Sequence, residues 1–567
     1  MTGYTGTLSG STNITVTVAS GTSTVKFAGT SPTWSGTLLL NPAAGTTINL
    51  TMGSLTTAGT IGGITIAGTT TGAVYFLDAV TMAATKTVTL TFGTLHTDGA
   101  ADNSGLTHSW GLFSSSNSNT RTLTLGNSTI GVTGTGTAWD CTTTTGLTIT
   151  PGNSSITCSG ADITFSPGSF KTYYSLTFTG TGLTNLNNNF NATNLTITGT
   201  NVKSDRCQLG GSSRTISGNL TISGNSTINR LLVKSDTLGA ARTFTLTGAT
   251  VSTNNVDFRD ITFARSDAGA LDLSAGQTHS VGDCGGNSKS LGDSSVLTFT
   301  TAYTQTVTGN SVNWDVAPWT GTVNHVPPLP QDNIVVSLTA GQTLTANQPR
   351  LGKDISFTTA CNYANSGSST IYGSLDLSNI GTWTQSNTLT FESQARTGII
   401  TLTSNGKTIT TGGNQCVIAV VGSSFRLADA LISTSSANGL SVENGTFDAA
   451  TNNVTVTVYK TRTLAGATMN LGSATCILNG STNGTTLWSM AGTFNGASSN
   501  ISATDTGTGA KTFAGGGTVY YNLTTPSGTG GVAITGANSF NSIQAPSGGK
   551  ITFPASTITT LTGNMSS

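Results

Sequence analysis

Charge is scarce in this chain: Asp, Glu, Lys and Arg make up only 8% of its 567 residues, where about a quarter is usual. Glutamate occurs just twice, as Glu392 and Glu443. Long helices draw on Ala, Leu, Glu, Lys and Arg, so helix is expected to be a minor component. The charges also balance, 22 acidic against 22 basic, which leaves no basic footprint for nucleic acid. The four histidines, His96, His108, His279 and His325, show no metal-ligand spacing and no HExxH pattern. Seven cysteines (Cys141, Cys158, Cys207, Cys284, Cys361, Cys416 and Cys476) form no CxxC, which argues against zinc sites and a dense disulfide framework. Cys141 and Cys158 could face each other on adjacent coils; the others read as small buried hydrophobes, suited to a reducing cytoplasm. No run approaches 18 apolar residues, so no membrane-spanning helix is expected. The segment Met1–Gly10 lacks the basic and apolar regions of a secretory signal. A virion protein released by lysis, or a piece of a longer exported protein, fits that start.

What is abundant is Gly, with 72 copies, together with Thr at about a fifth of the chain, Ser and Asn. Threonine suits a pleated surface, and Gly and Asn supply positive φ in tight turns. Disorder would accompany such composition if aromatics were few, but 20 Phe, 10 Tyr and 7 Trp are spread along the chain. The local motif is apolar-x-apolar-x-Gly, as in Ile64–Gly68 and Val88–Gly93. From 176 to 248 it is nearly metrical, ending at Gly180, Gly199, Gly224 and Gly248, in steps of 19, 25 and 24 residues. That period predicts an all-β, elongated β-solenoid of stacked coils, with Leu220, Ile222, Phe244 and Leu246 facing inward. An array of β-sandwich modules is the alternative, because short strands closely spaced are its signature too.

A longer repeat overlies the short one. Thr120-Arg121-Thr122-Leu123 recurs as Thr461-Arg462-Thr463-Leu464, Trp139 as Trp488, and Phe165 as Phe513. The pairs Tyr173-Tyr174 and Tyr520-Tyr521 follow, then Phe190 and Phe540. The order predicts an internal duplication of 120–200 in 461–545. Between the copies, four of the 12 prolines fall from Pro318 to Pro330, and proline interrupts ladders. The expected division is a first β unit over 1–255, a junction module over 256–332, and a second β unit over 333–567.

The blocks Val256–Phe263 (VDFRDITF), Gly282–Ser288 (GDCGGNS), Val326–Val336 (VPPLPQDNIVV) and Pro349–Phe357 (PRLGKDISF) carry a resemblance, as do the TYY and VYYNLT blocks. They resemble repeat modules of large, uncharacterised environmental phage virion and tail-fibre-like β-solenoid proteins. The resemblance implies a virion-structural or host-adhesion role and brings no catalytic residues.

Glycan-cleaving tailspikes use paired carboxylates about 5–9.5 Å apart. Asp257 and Asp260 are the closest pair in sequence, but Arg259 lies between them, and charge pairing accounts for all three. The wider run of basic residues from Lys203 to Arg265, followed by Asp257 to Asp293, reads as an internally paired, solvated face. No calcium-loop pattern occurs. No catalytic, cofactor-binding or metal residues are assigned, and no enzyme activity is expected. The candidate ligand or interface surface is Trp314, Trp319, Tyr173, Tyr174, Tyr520 and Tyr521, although Trp and Tyr here serve more simply as core or turn residues.

The function expected is a structural or adhesive surface protein, foremost a phage virion component; a bacterial adhesin or filament subunit comes second and a polysaccharide depolymerase third. Expected partners are further copies of the chain, other virion or surface proteins and host polysaccharide, without nucleic acid or membrane insertion, at a virion or extracellular surface. Both chain ends read as strand with no capping helix, so other chains are expected to cover them.

Overall fold

The computed structural model describes residues 9–27, 33–53, 61–101, 103–265, 270–274, 281–290, 296–323, 325–410, 415–433, 439–554 and 558–566. His279, Asp267 and Asp293 lie outside them. Among the described residues there is no helix, and strands of successive coils pair in parallel. This is a β-solenoid of about 20 turns. Parallel stacking excludes the sandwich alternative, whose strands pair antiparallel.

The chain divides into two compact units, Met1–Val281 with Asn287–Thr300, and Gly282–Gly286 with Thr301–Ser567. The stretch 256–332, expected as a separate junction, is shared between them.

In the first unit each coil lays strands on up to three faces. One coil runs through Leu112–Ser114, Arg121–Thr124 and Thr129–Val132 before Gly136–Asp140 returns to the first face. Alternation along each strand sends every second side chain inward, and stacking aligns those side chains into ladders. Leu38, Ile64, Val88, Phe113, Trp139, Phe165 and Leu186 form one continuous ladder on the first face. On another face Ile130, Ile156, Leu176, Leu195, Leu220 and Val251 do the same. Burying each such side chain contributes about 1.5–3 kcal/mol, which no single coil secures alone. Leu220, Ile222, Phe244 and Leu246 are buried, as the period predicts.

The residues between point outward and also stack. Thr157, Thr177, Thr196, Thr221 and Ser252 share one row, and Ser155, Ser175, Asn194, Asn219 and Thr250 the next. The Asn219 amide nitrogen donates to Asn194 Oδ1 at 3.0 Å.

The motif glycines serve two different purposes. The strand Thr87–His96 crosses a corner at Gly93, where φ is +85° and an added Cβ would lie 2.7 Å from the Gly72 carbonyl oxygen. Gly134, Gly160 and Gly180, by contrast, lack positive φ and stack at one corner. A Cβ on Gly160 would lie 1.9 Å from the Gly134 oxygen, and one on Gly180 1.9 Å from the Gly160 oxygen. There the requirement is close approach of successive backbones, a reason that composition does not reveal.

The second unit uses the same plan. Asn333–Leu338, Thr343–Ala346 and Ser369–Ile371 lie on its three faces, and the long strand Cys416–Leu427 turns a corner at Gly422 (φ +69°). Its stacking starts before the prolines, because Thr304–Gly309 pairs with Asn333–Leu338. The proline-rich segment is a loop between two consecutive strands of one ladder. Asp332 fastens it, accepting from Tyr303 N (2.9 Å) and Leu329 N (2.8 Å) and bonding His325 Nδ1 (2.6 Å).

Candidate functional site

The aromatic constellation of the duplication is the most distinctive local structure. Trp139 sits above Phe165 with centroids 5.9 Å apart, and Trp488 above Phe513 at 5.7 Å. Tyr173 meets Trp139 edge-on at 77°, and Tyr520 meets Trp488 at 79°. The indole Nε1–H donates to the tyrosine oxygen in both copies, at 3.2 and 3.0 Å. Each tyrosine hydroxyl donates to a backbone carbonyl at 2.7 Å, Pro167 in one copy and Gly515 in the other. Even the register shift is shared, between Thr137 and Trp139 and between Thr486 and Trp488.

Two parts of the expected duplication differ. Phe190 pairs in register with Lys171, whereas Phe540 pairs with Tyr520, so the phenylalanines reach similar places from different positions. The TRTL match is compositional. Arg121 points inward and is fully buried, while Arg462 points outward from a strand whose Thr461 stacks directly on Trp488.

The candidate surface is corrected accordingly. Trp314, Trp319, Tyr173 and Tyr520 are core residues, at most 2% exposed, because their rings turn inward and fill the interior, where the polar groups of Trp319, Tyr173 and Tyr520 have protein partners. Trp319 Nε1–H, for instance, donates to the Trp314 carbonyl at 2.8 Å. Tyr174 and Tyr521, one residue further along each strand, face outward by alternation; Tyr521 is 38% exposed.

One pair of the charged run lies in the interior, while Arg242 and Asp236 pair at a partly exposed position. Arg230 donates to Asp257 Oδ1 through Nε at 2.9 Å and Nη2 at 2.6 Å, with both side chains buried. Asp260 (φ +55°) accepts from Gly239 N at 3.0 Å. Both carboxylates of the expected pair therefore hold backbone or arginine groups. All seven cysteines are buried and free. Cys158 stacks between Val132 and Phe178 instead of meeting Cys141, and burial pushes both thiols up to about 12. Among the described residues no three His, Cys, Asp or Glu side chains gather as for a metal ion.

A groove opens beside the second constellation. In both copies one face stops just after the tryptophan strand, ending at Leu147–Thr150 in the first unit and Thr493–Asn495 in the second among the described strands. In the first unit Lys171 spans the step, its Nζ donating to the Leu147 carbonyl. The position two residues before the tyrosine in the second copy is Thr518, which is too short to do so. The space left there is about 750 Å³, bounded by Phe494–Ala497, Val519–Tyr521, Ser539–Asn541 and Thr562. Beneath it lies a run of buried rings, Phe494 to Tyr520 at 4.8 Å and Tyr520 to Phe540 at 5.2 Å. Val519, 73% exposed, and Tyr521 form its rim. Sequence reading reached Tyr520 and Tyr521 but missed Phe494, Asn541 and Thr562, which only the loss of a face brings together. Comparisons with family models, curated proteins and solved structures find no match to this chain, so its functional reading rests on this geometry.

Proposed function

We propose that the chain is a structural or adhesive surface protein, foremost a phage virion component of fibre-like or tail type, and that it carries no enzyme activity. The observation that carries the reading is the stacked-coil body with uncharged outer rows, such as Thr157–Thr177–Thr196–Thr221. Such a body is held by many repeated ladders, so it offers a fixed surface of hydroxyls and amides to glycans or neighbouring subunits. The resemblance of its blocks to virion repeat modules supports the same reading. The burial and pairing of Asp257 supports the absence of depolymerase chemistry, since a catalytic carboxylate must reach the substrate. A bacterial adhesin or filament subunit is the second reading, favoured by the same outer rows.

The test is adsorption. Fluorescently labelled chain is expected to bind intact bacterial cells of some strains and to leave their polysaccharide uncleaved. Absence of binding across a broad strain panel, with no trace of the chain in purified virions or on cell surfaces, would overturn the proposal. Release of oligosaccharides would overturn its non-enzymatic part.

A further inference from the structure

We propose that the groove between Phe494–Ala497 and Tyr520–Asn541 binds a neutral oligosaccharide, an inference that rests on the adhesive reading and gives it a location. The lining contains no charged side chain. An anionic sugar would find no cation to pair with there, and burying its charge would be costly. A neutral sugar offers weakly polar C–H faces and a rim of hydroxyls. The groove offers the complement: aliphatic and aromatic area from Val519 and Tyr521, with Asn495, Asn541 and Thr562 as hydrogen-bonding groups. Its volume of about 750 Å³ lies within the 300–1,000 Å³ typical of small-ligand sites.

One further observation points to a ligand. In the sister copy the corresponding step is bridged by Lys171 donating to an edge carbonyl, so the fold can fill this place and in the second copy leaves it open. An added β-strand is the competing occupant. The free edge, however, is the three-residue strand Thr493–Asn495, too short to align a peptide firmly.

The experiment uses the full chain in isothermal titration calorimetry with cellohexaose, maltohexaose and a mannohexaose. A hyaluronan hexasaccharide is the anionic control, and an extended threonine-rich decapeptide is the strand control. At least one neutral sugar is expected to bind with Kd on the order of 0.1–1 mM. Tyr521→Ala is expected to weaken that binding tenfold or more. Thr518→Lys, which copies the sister unit's bridge, should weaken it similarly, with thermal unfolding showing both variants folded. Tyr174→Ala in the first unit should leave it unchanged. Neutral-sugar binding that survives both groove variants would place glycan recognition elsewhere, overturning the groove while leaving adhesion intact. Binding of the decapeptide or hyaluronan alone would also overturn it, as would no binding at all. Cell adsorption persisting in the last case would show that only the groove had failed.

Discussion

Arg121 and Arg462 occupy identical tetrapeptides and opposite environments. The Arg121 guanidinium is fully buried and donates to Ser115 Oγ and to the carbonyls of Ser115, Asn119, Thr143 and Thr145. It closes a coil corner by holding backbone oxygens that no neighbouring strand reaches. Arg121→Met would leave the buried Ser115 carbonyl and the partly buried carbonyls around it without this donor, at a cost of about 2–3 kcal/mol. Arg462, 48% exposed beside Glu443, should lose no more than about 1 kcal/mol in the same change. Chemical denaturation of the two variants compares them directly, and equal losses would contradict the assignment. His108 gives a pH signature. Its Nδ1 accepts from Val80 N at 3.0 Å, so Nε2 carries the hydrogen and donates to the Thr97 carbonyl at 2.6 Å. Burial holds its pKa below the ordinary 6.5, although Thr97, Asp98 and Asp78 pull the other way. The unfolded chain thus takes up a proton that the folded chain resists. The stability contributed is complete above pH 6.5 and is lost progressively as pH falls below that value. Unfolding free energies at several pH values from neutral downward should fall less steeply for His108→Gln than for the native chain.

At the scale of the element, the strand-and-glycine motif divides into two kinds of corner. Gly160 has ordinary φ, but a Cβ there would lie 1.9 Å from the Gly134 oxygen. Gly45 has φ +71° with nothing within 4 Å of its added Cβ. Gly45→Ala is expected to cost about 1 kcal/mol from backbone conformation alone. Gly160→Ala must push two coils apart and should cost clearly more, with faster amide exchange at Thr133–Gly134 and Ser159–Gly160. A Gly160→Ala variant as stable as Gly45→Ala would show that the corner yields easily. The strands themselves were legible because inward Leu, Ile and Phe alternate with Thr; the basis of each corner was not, since it depends on the coil above. The TRTL match failed for a related reason: in a chain this rich in Thr, four shared letters carry less information than a tryptophan and a tyrosine at matching distances.

At the scale of the molecule, ladder stacking makes each coil depend on its neighbours. Along the stack the uncharged Thr and Asn rows carry almost no charged residues to keep copies apart. Sedimentation at micromolar concentration is expected to show an oligomer. A stable monomer would count against self-association.

The sequence by itself determined the all-β class, the coil period and the inward residues Leu220, Ile222, Phe244 and Leu246, because alternation and a period of 19–25 residues are local properties of the chain. It also determined that Trp139, Tyr173, Trp488 and Tyr520 belong to one repeated arrangement. Only the tertiary structure decided that those rings are core, that Asp257 is held by Arg230, and that the stack runs through the proline-rich loop from Thr304 to Leu338. It alone placed an open groove at Phe494 and Tyr521. Each of these depends on which coil lies above or below, and residues some 20–30 positions apart meet only when the stack has formed.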